Sequence, residues 1–427
     1  MKIIPYFVLH KDNLYPILMN PQIKDSQYRK FCAYGFLKNL RFFDAFLILF
    51  LIDKGMTYTQ IGILYAAREI LTNFFEIPSG LIADIYGRKK SLAAALFIFI
   101  LSFLIFWLSI NFWLYLFAFI IFGIADAFRS GSHKGMMMDY LKLNNWANFK
   151  SEYYGHTRSW SQRGSAISAL IAGMLIFIDG NYQNIFIYSV IPYAINFLLI
   201  LSYPSEIDRS EKKKNKDERS FVNNFQALYR VLKQKSVLKL VSTSAFHTAY
   251  LKALKDYIQA IMLGIALLLP NIKGIGIENQ NGIVIGMLYF LIYLLTAYAS
   301  QYSSVILKKA PTNLTRKTLL LGLFFGLACG VFFIYEIWIW AFVAFTFIFI
   351  IENIRKPILT AFVADNVPNE LLTSVYSSQS QLRTLFSAAI AFVFGIFADI
   401  WGIGIALVIV SSTLLLLASF ISYRKKE

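Results

Sequence analysis

Ser91-Leu-Ala-Ala-Ala-Leu-Phe-Ile-Phe-Ile-Leu-Ser-Phe-Leu-Ile-Phe-Trp-Leu-Ser-Ile110 carries no charged side chain. About 20 apolar residues in helical form match the thickness of a bilayer's hydrocarbon core, so this stretch reads as a membrane-spanning helix. Eleven comparable stretches flank it, near Phe31–Asp53, Tyr58–Ala83, Phe112–Leu141, Tyr153–Ile178, Asn184–Tyr203, Val237–Pro270, Ile283–Leu307, Thr318–Tyr335, Trp338–Ala364, Leu372–Ile400 and Gly402–Tyr423. Spans seven and eight are the least regular, because Lys252, Lys255 and Asp256 interrupt the first and a turn around Gly274 and Gly276 divides the two. Composition agrees: 57% of the 427 residues are hydrophobic and only 15% charged, against about a quarter charged in water-soluble domains. A soluble, secreted or collagen-like chain is excluded.

The net charge of +17 is explained by where it sits. Alternate loops hold Lys24, Arg29 and Lys30; Arg88, Lys89 and Lys90; Lys142 and Lys150; Lys212, Lys213, Lys214 and Lys216; Lys308, Lys309, Arg316 and Lys317; and Arg424, Lys425 and Lys426. The intervening loops hold little beyond Lys54 and Lys273. Short cytoplasmic loops are enriched in Lys and Arg, so both termini are expected in the cytoplasm and the number of spans is even. The excess charge therefore reads as topology and attraction to anionic headgroups, not as a nucleic-acid surface. Short external loops suggest a bacterial cytoplasmic (inner) membrane.

The expected fold is all-α: a polytopic protein of twelve transmembrane helices in two six-helix bundles. A cytoplasmic N-terminal segment covers 1–30, the first bundle 31–204, a cytoplasmic linker 205–236, the second bundle 237–423 and a cytoplasmic tail 424–427. In the linker, Phe221, Val222, Phe225, Leu228, Tyr229 and Leu232 fall at helical spacing, as in an amphipathic helix on the inner membrane face. Cys32 and Cys329 form no disulfide framework or metal-ligand set. No phosphate-binding loop and no nucleophile–base set appear, so neither a cofactor nor an enzyme activity is expected.

Spacing reveals a repeat. Span four reads Asp126-Ala-Phe-Arg129 and reaches Asp139; span ten reads Glu352-Asn-Ile-Arg355 and reaches Asp365. Acid to arginine is three residues in both, and arginine to second acid ten in both. Ionisable residues are rare inside membranes, so a shared pattern points to duplicated halves, an architecture that places a solute site at the repeat interface.

Between spans two and three stands Gly80-Leu-Ile-Ala-Asp84-Ile-Tyr-Gly87-Arg88-Lys89-Lys90. This resembles the signature loop of the major facilitator superfamily, and its place in a twelve-span chain with a central basic loop agrees. Gly80 would allow close helix approach and Gly87 a tight turn. The resemblance implies that Asp84 faces the N-terminal end of span eleven, that Arg88 pairs with Asp139, and that these contacts form a cytoplasmic gate. The corresponding loop in the second half, Lys308 to Lys317, has neither aspartate nor glycine, which leaves Asp365 only a diffuse basic cluster. The run Gly395-Ile-Phe-Ala-Asp399-Ile-Trp-Gly402 looks like the signature but falls at the external side without its basic end, and reads as packing and turn chemistry.

In that family spans one, four, seven and ten line the central cavity. Here they hold Lys38, Arg41 and Asp44; Asp126, Arg129, His133 and Lys134; His247, Lys252, Lys255 and Asp256; and Glu352, Arg355 and Lys356. Basic groups outnumber acids, which points to a small anionic solute bound by Arg41, Arg129, Arg355, Lys252 and Lys255. Asp44, Asp126, Glu352 and His133 are the candidates for coupling to H+. Against this stand blander readings: Asp126 with Arg129 and Glu352 with Arg355 as self-neutralising pairs, Lys38 and Lys134 as snorkelling side chains, His133 as a packed interior histidine, and Glu76 as a support for the signature. The expected function is secondary active transport by alternating access, by a monomer whose partners are the solute, the coupling ion and membrane lipids. Alternatives are a multidrug or lipid-like amphiphile exporter on the same fold, and a non-transporting membrane receptor.

Overall fold

The computed structural model describes residues 24–130, 132–146, 149–208, 235–270, 274, 276–308, 314–366 and 372–421. All twelve expected stretches contain helix, and there is no strand among the described residues. Span two is Tyr58–Tyr86, span three Arg88–Leu108, span five Lys150–Asp179 and span six Asn184–Leu201. Span eight is Ile277–Lys308, span nine Leu314–Ile334 and span ten Trp338–Asn366. Spans eleven and twelve run together as Leu372–Ile421, divided at Gly402, whose φ of 82° breaks the helix. Eight of the helices are long and apolar enough to cross a membrane by length and composition. The proposed amphipathic helix of the linker and the C-terminal tail lie outside the described residues.

Local chemistry sets the ends. Thr57 and Gln60 form a reciprocal capping box at the start of span two. The span ends at Gly87, whose φ of 102° is open to glycine and strained for any other residue. A side chain there would also strike the Asp208 carboxylate, which accepts the Lys89 backbone N–H at 2.7 Å and so caps span three.

Three spans are discontinuous; an interruption was expected only in span seven, at Lys252, Lys255 and Asp256. Span one is Ser26–Leu37, a 3-10 turn Phe42–Ala45, and Leu47–Asp53. Span seven is Lys235–Leu254, a 3-10 turn Lys255–Tyr257, and Ile258–Leu267. Span four is Phe112–Arg129 and Ser132–Leu143, parting at Ser130, whose ψ of 129° is extended. In a membrane the freed backbone groups need partners. Phe42 N–H finds one in Ser189 Oγ of span six at 3.0 Å. The break in span four also ends the continuous face that a regular helix gives Asp126, Arg129 and His133.

The first half is built on an aromatic core. Phe186 of span six stacks on Phe43 at 4.9 Å and on Phe106 at 4.8 Å, and Phe122 meets Phe99 edge-on at 4.9 Å. The halves meet along two seams, span two on span eleven and span five on span eight. Both are made by glycine. A Cβ at Gly62 would lie 2.6 Å from the Ala391 carbonyl oxygen; one at Gly173 would lie 2.8 Å from the Gly282 carbonyl oxygen and 3.0 Å from Gly286 Cα. Gly80 is different: among the described residues nothing lies within 4 Å of a Cβ built there, so the close approach expected at the signature glycine is not seen.

Candidate functional site

The breaks in spans one and seven sit where the halves face each other, and each presents a basic and an acidic side chain. In span one, Arg41 Nη2 lies 2.8 Å from Asp44 Oδ2. In span seven, Lys255 Nζ lies 3.4 Å from Asp256 Oδ1, and Tyr65 of span two donates to Asp256 Oδ2 at 2.8 Å. One turn away, Lys252 bonds Glu69 of span two. Arg68, beside Glu69, lies over the Tyr65 ring at 4.7 Å. Spans two and seven are thus joined across the molecular pseudo-symmetry by a hydroxyl–carboxylate bond and an ion pair.

Span four adds Asp126 and Arg129. The guanidinium donates from Nη2 and Nε to Asp126 Oδ1 at 2.5 and 3.0 Å. The matching residues of span ten behave otherwise, and the blander reading of Glu352 with Arg355 as a self-neutralising pair does not hold. Glu352, 2% exposed, bonds His247 Nδ1 at 2.7 Å and accepts from Thr248 Oγ1 at 2.6 Å. Lys356 Nζ stands 4.0 Å from its other oxygen. Arg355, also buried, donates to Thr318 Oγ1 at 2.8 Å and to the Thr243 carbonyl at 3.0 Å. Span seven supplies a histidine and two threonines where the first half has no equivalent, and these capture both members of the pair.

His133 lies within an aromatic cluster of the first half, stacked on Tyr34 at 3.8 Å and edge-on to Phe31 at 5.3 Å. Lys38 Nζ lies over the same Tyr34 ring at 5.6 Å, with no carboxylate in ion-pair distance among the described residues. At the signature loop, Arg88 Nη1 donates to Asp139 Oδ2 at 2.6 Å. Gly135 makes room for that guanidinium, since a Cβ there would collide with it. The side chains of Asp84 and Asp365 lie outside the described residues.

Four groups that close the site are not among the charged residues of spans one, four, seven and ten. Arg68 and Glu69 lie in span two, although two adjacent charges in Ala67-Arg68-Glu69-Ile70 are a signal in themselves. Gln259 is uncharged and fully buried. Its Oε1 accepts the Ile48 and Leu49 N–H groups at 2.9 and 3.3 Å, while Nε2 donates to the Asp44 carbonyl at 3.1 Å. One side chain of span seven thus caps the second piece of span one. Asp399 of span eleven likewise accepts the N–H groups of Tyr58 and Thr59 at 2.6 and 2.7 Å, capping span two. With Asn279 of span eight, which donates to the Phe177 carbonyl at 2.7 Å, these links join the halves at the end opposite the signature loop.

Known proteins agree with this arrangement. The model of the Major Facilitator Superfamily matches residues 35–391. A relative from Bacillus subtilis (strain 168), described as an uncharacterized MFS-type transporter, YxaM, is 23% identical over 391 residues, 88% of this chain and 89% of its own. The crystal structure of the nucleoside transporter NupG superposes with a TM-score of 0.72 at 12% identity, over 93% of this chain and 98% of that one. A D-xylose-proton symporter does so with a TM-score of 0.65 at 13% identity, over 92% and 96%. At such identities the solved structures speak for the fold, whereas the family match speaks for membership. With its helical halves, its signature loop and a family match spanning most of its length, this chain belongs to the major facilitator superfamily and is a multi-pass membrane transporter.

Proposed function

We propose that the protein moves a small anionic solute by alternating access, coupled to H+, with the end that carries Tyr58, Asn279 and Asp399 facing outward. The observation that carries the anion reading is the state of the acids. Asp44, Asp126, Glu69, Asp256 and Glu352 each already hold a cation, a histidine or a hydroxyl. Lys38 lies over the Tyr34 ring with no carboxylate in ion-pair distance among the described residues, and Lys252 and Lys255 remain a third exposed at the interface. A carboxylate or phosphate entering between the halves would meet a positive field with few competing acids. Arg41, Arg129, Lys252 and Lys255 are placed to contact it; Arg355, held by threonines behind Glu352, acts as support.

Coupling to H+ is assigned first to Glu352 with His247, a buried acid–imidazole pair that one proton can bridge, and second to Asp44 and Asp126, whose arginines a solute anion can draw away. Arg88 and Asp139 form the inner gate with Gly87 and Asp84. The links through Gln259, Asp399 and Asn279 lie toward the end opposite the signature loop, which supports an outward-closed arrangement. Flux of labelled organic anions into proteoliposomes tests the reading. Arg129→Gln should reduce it at least tenfold in a folded protein, and Glu352→Gln should remove its dependence on a pH gradient. Wild-type flux in Arg129→Gln would defeat the anion assignment.

A further inference from the structure

On its surface the first half has a groove of about 520 Å³ between spans one and five, walled by Tyr28, Cys32, Phe36, Leu37 and Trp160, with the exposed Arg29 also in its lining. Arg163 is outside the lining but meets it through Trp160. This residue lies within the apolar window His156–Asp179, yet it is exposed. Its guanidinium stands over the Trp160 ring at 4.9 Å, and its charge is felt by Tyr28 and Cys32 of the groove wall. The transport site has no use for Arg163: it belongs to the outer flank of span five, whereas Gly164 and Ser161 take the face against span one.

An arginine facing hydrocarbon costs several kcal/mol unless it finds an oxyanion or water. Helical side chains lean toward the helix N-terminus, which for span five is the signature-loop end, so Arg163 reaches back toward the headgroups that Arg29 borders. One guanidinium in the lining of an otherwise apolar groove and a second over its indole suit one molecule type, a phosphate on a hydrocarbon chain. We propose that this groove binds an anionic phospholipid of the inner leaflet, its phosphate between Arg29 and Arg163 and an acyl chain along Phe36 and Leu37.

The test is thermal unfolding of the full chain in detergent, with added phosphatidylglycerol, phosphatidylcholine or inorganic phosphate. Phosphatidylglycerol should raise the wild-type midpoint by about 3 °C or more, phosphatidylcholine by less than half as much, and inorganic phosphate not at all. Arg29→Gln with Arg163→Gln should lose at least half of the shift, while Arg29→Lys with Arg163→Lys should keep most of it. Ala33→Phe fills the groove without touching a charge and should lose the shift as well. An equal response to the two lipids, a shift produced by inorganic phosphate, or full shifts in both the glutamine and the Ala33→Phe variants would overturn the proposal.

Discussion

Replacing Gln259 by Leu keeps the volume of the side chain and deletes its hydrogen bonds. The Ile48 and Leu49 N–H groups belong to the first turn of the second piece of span one, where no helical carbonyl is available to them. In the closed arrangement both would be buried without an acceptor, and the Asp44 carbonyl would lose a donor. A buried unsatisfied group costs about 1–3 kcal/mol, and the 3.3 Å bond is the weaker of the two, so the total is about 2–4 kcal/mol. Because Gln259 and Ile48 lie on opposite halves, the penalty vanishes when the outer end opens and water reaches the N–H groups. The closed-to-open ratio should therefore fall by roughly 30- to 700-fold. Spin labels at Lys54→Cys and Leu268→Cys, both at exposed outer positions, report the separation by pulsed electron–electron resonance. A long-distance component should dominate in Gln259→Leu. Gln259→Glu, which keeps an acceptor, should retain the short one. A folded Gln259→Leu with the wild-type distance distribution would refute the reasoning.

Breaking the Glu69–Lys252 pair should destabilise the protein, but moderately, since Lys252 is a third exposed: a double-mutant cycle with Glu69→Gln and Lys252→Met should give a coupling of about 1–2 kcal/mol in unfolding. Gly62→Leu should cut flux at least tenfold, because its Cβ would press on the Ala391 carbonyl and Phe392 Cα, backbone atoms that cannot yield; Gly80→Ala should leave flux within twofold, a contrast that transport assays on the two variants will decide. Arg88→Glu should abolish transport through repulsion with Asp139, and adding Asp139→Arg should restore part of it; no rescue in the double variant would separate the pair from the gate.

The spans were legible because each depends on residue type over a fixed length of sequence, whereas the Arg88–Asp139 contact followed from the resemblance of the signature loop to the major facilitator superfamily and is present at 2.6 Å. Pairing within the membrane was less legible. Asp126 and Glu352 have the same offset to an arginine, yet only Asp126 pairs with it, since His247, Thr248 and Thr243 of span seven and Thr318 of span nine take the span-ten residues instead. Spacing within one helix carries no information about such neighbours. Gln259 stayed hidden for a different reason: its importance comes from two backbone groups orphaned by a break in another span. Span seven's charges foreshadowed its own break, but Lys38 to Arg41 did so only in retrospect, because a charged helix and a charged loop look alike in sequence.

The seams of paired glycines and borrowed helix caps carry a thermodynamic consequence. Parting them uncovers backbone and polar groups that water solvates nearly as well as their partners did. This narrows the free-energy gap between the two arrangements of the halves, and the aromatic core described for the first half, built from spans of that half alone, need not repack during the exchange. A solute then needs only modest preference for one arrangement to tip the balance, so weak and reversible binding is enough to drive a full cycle.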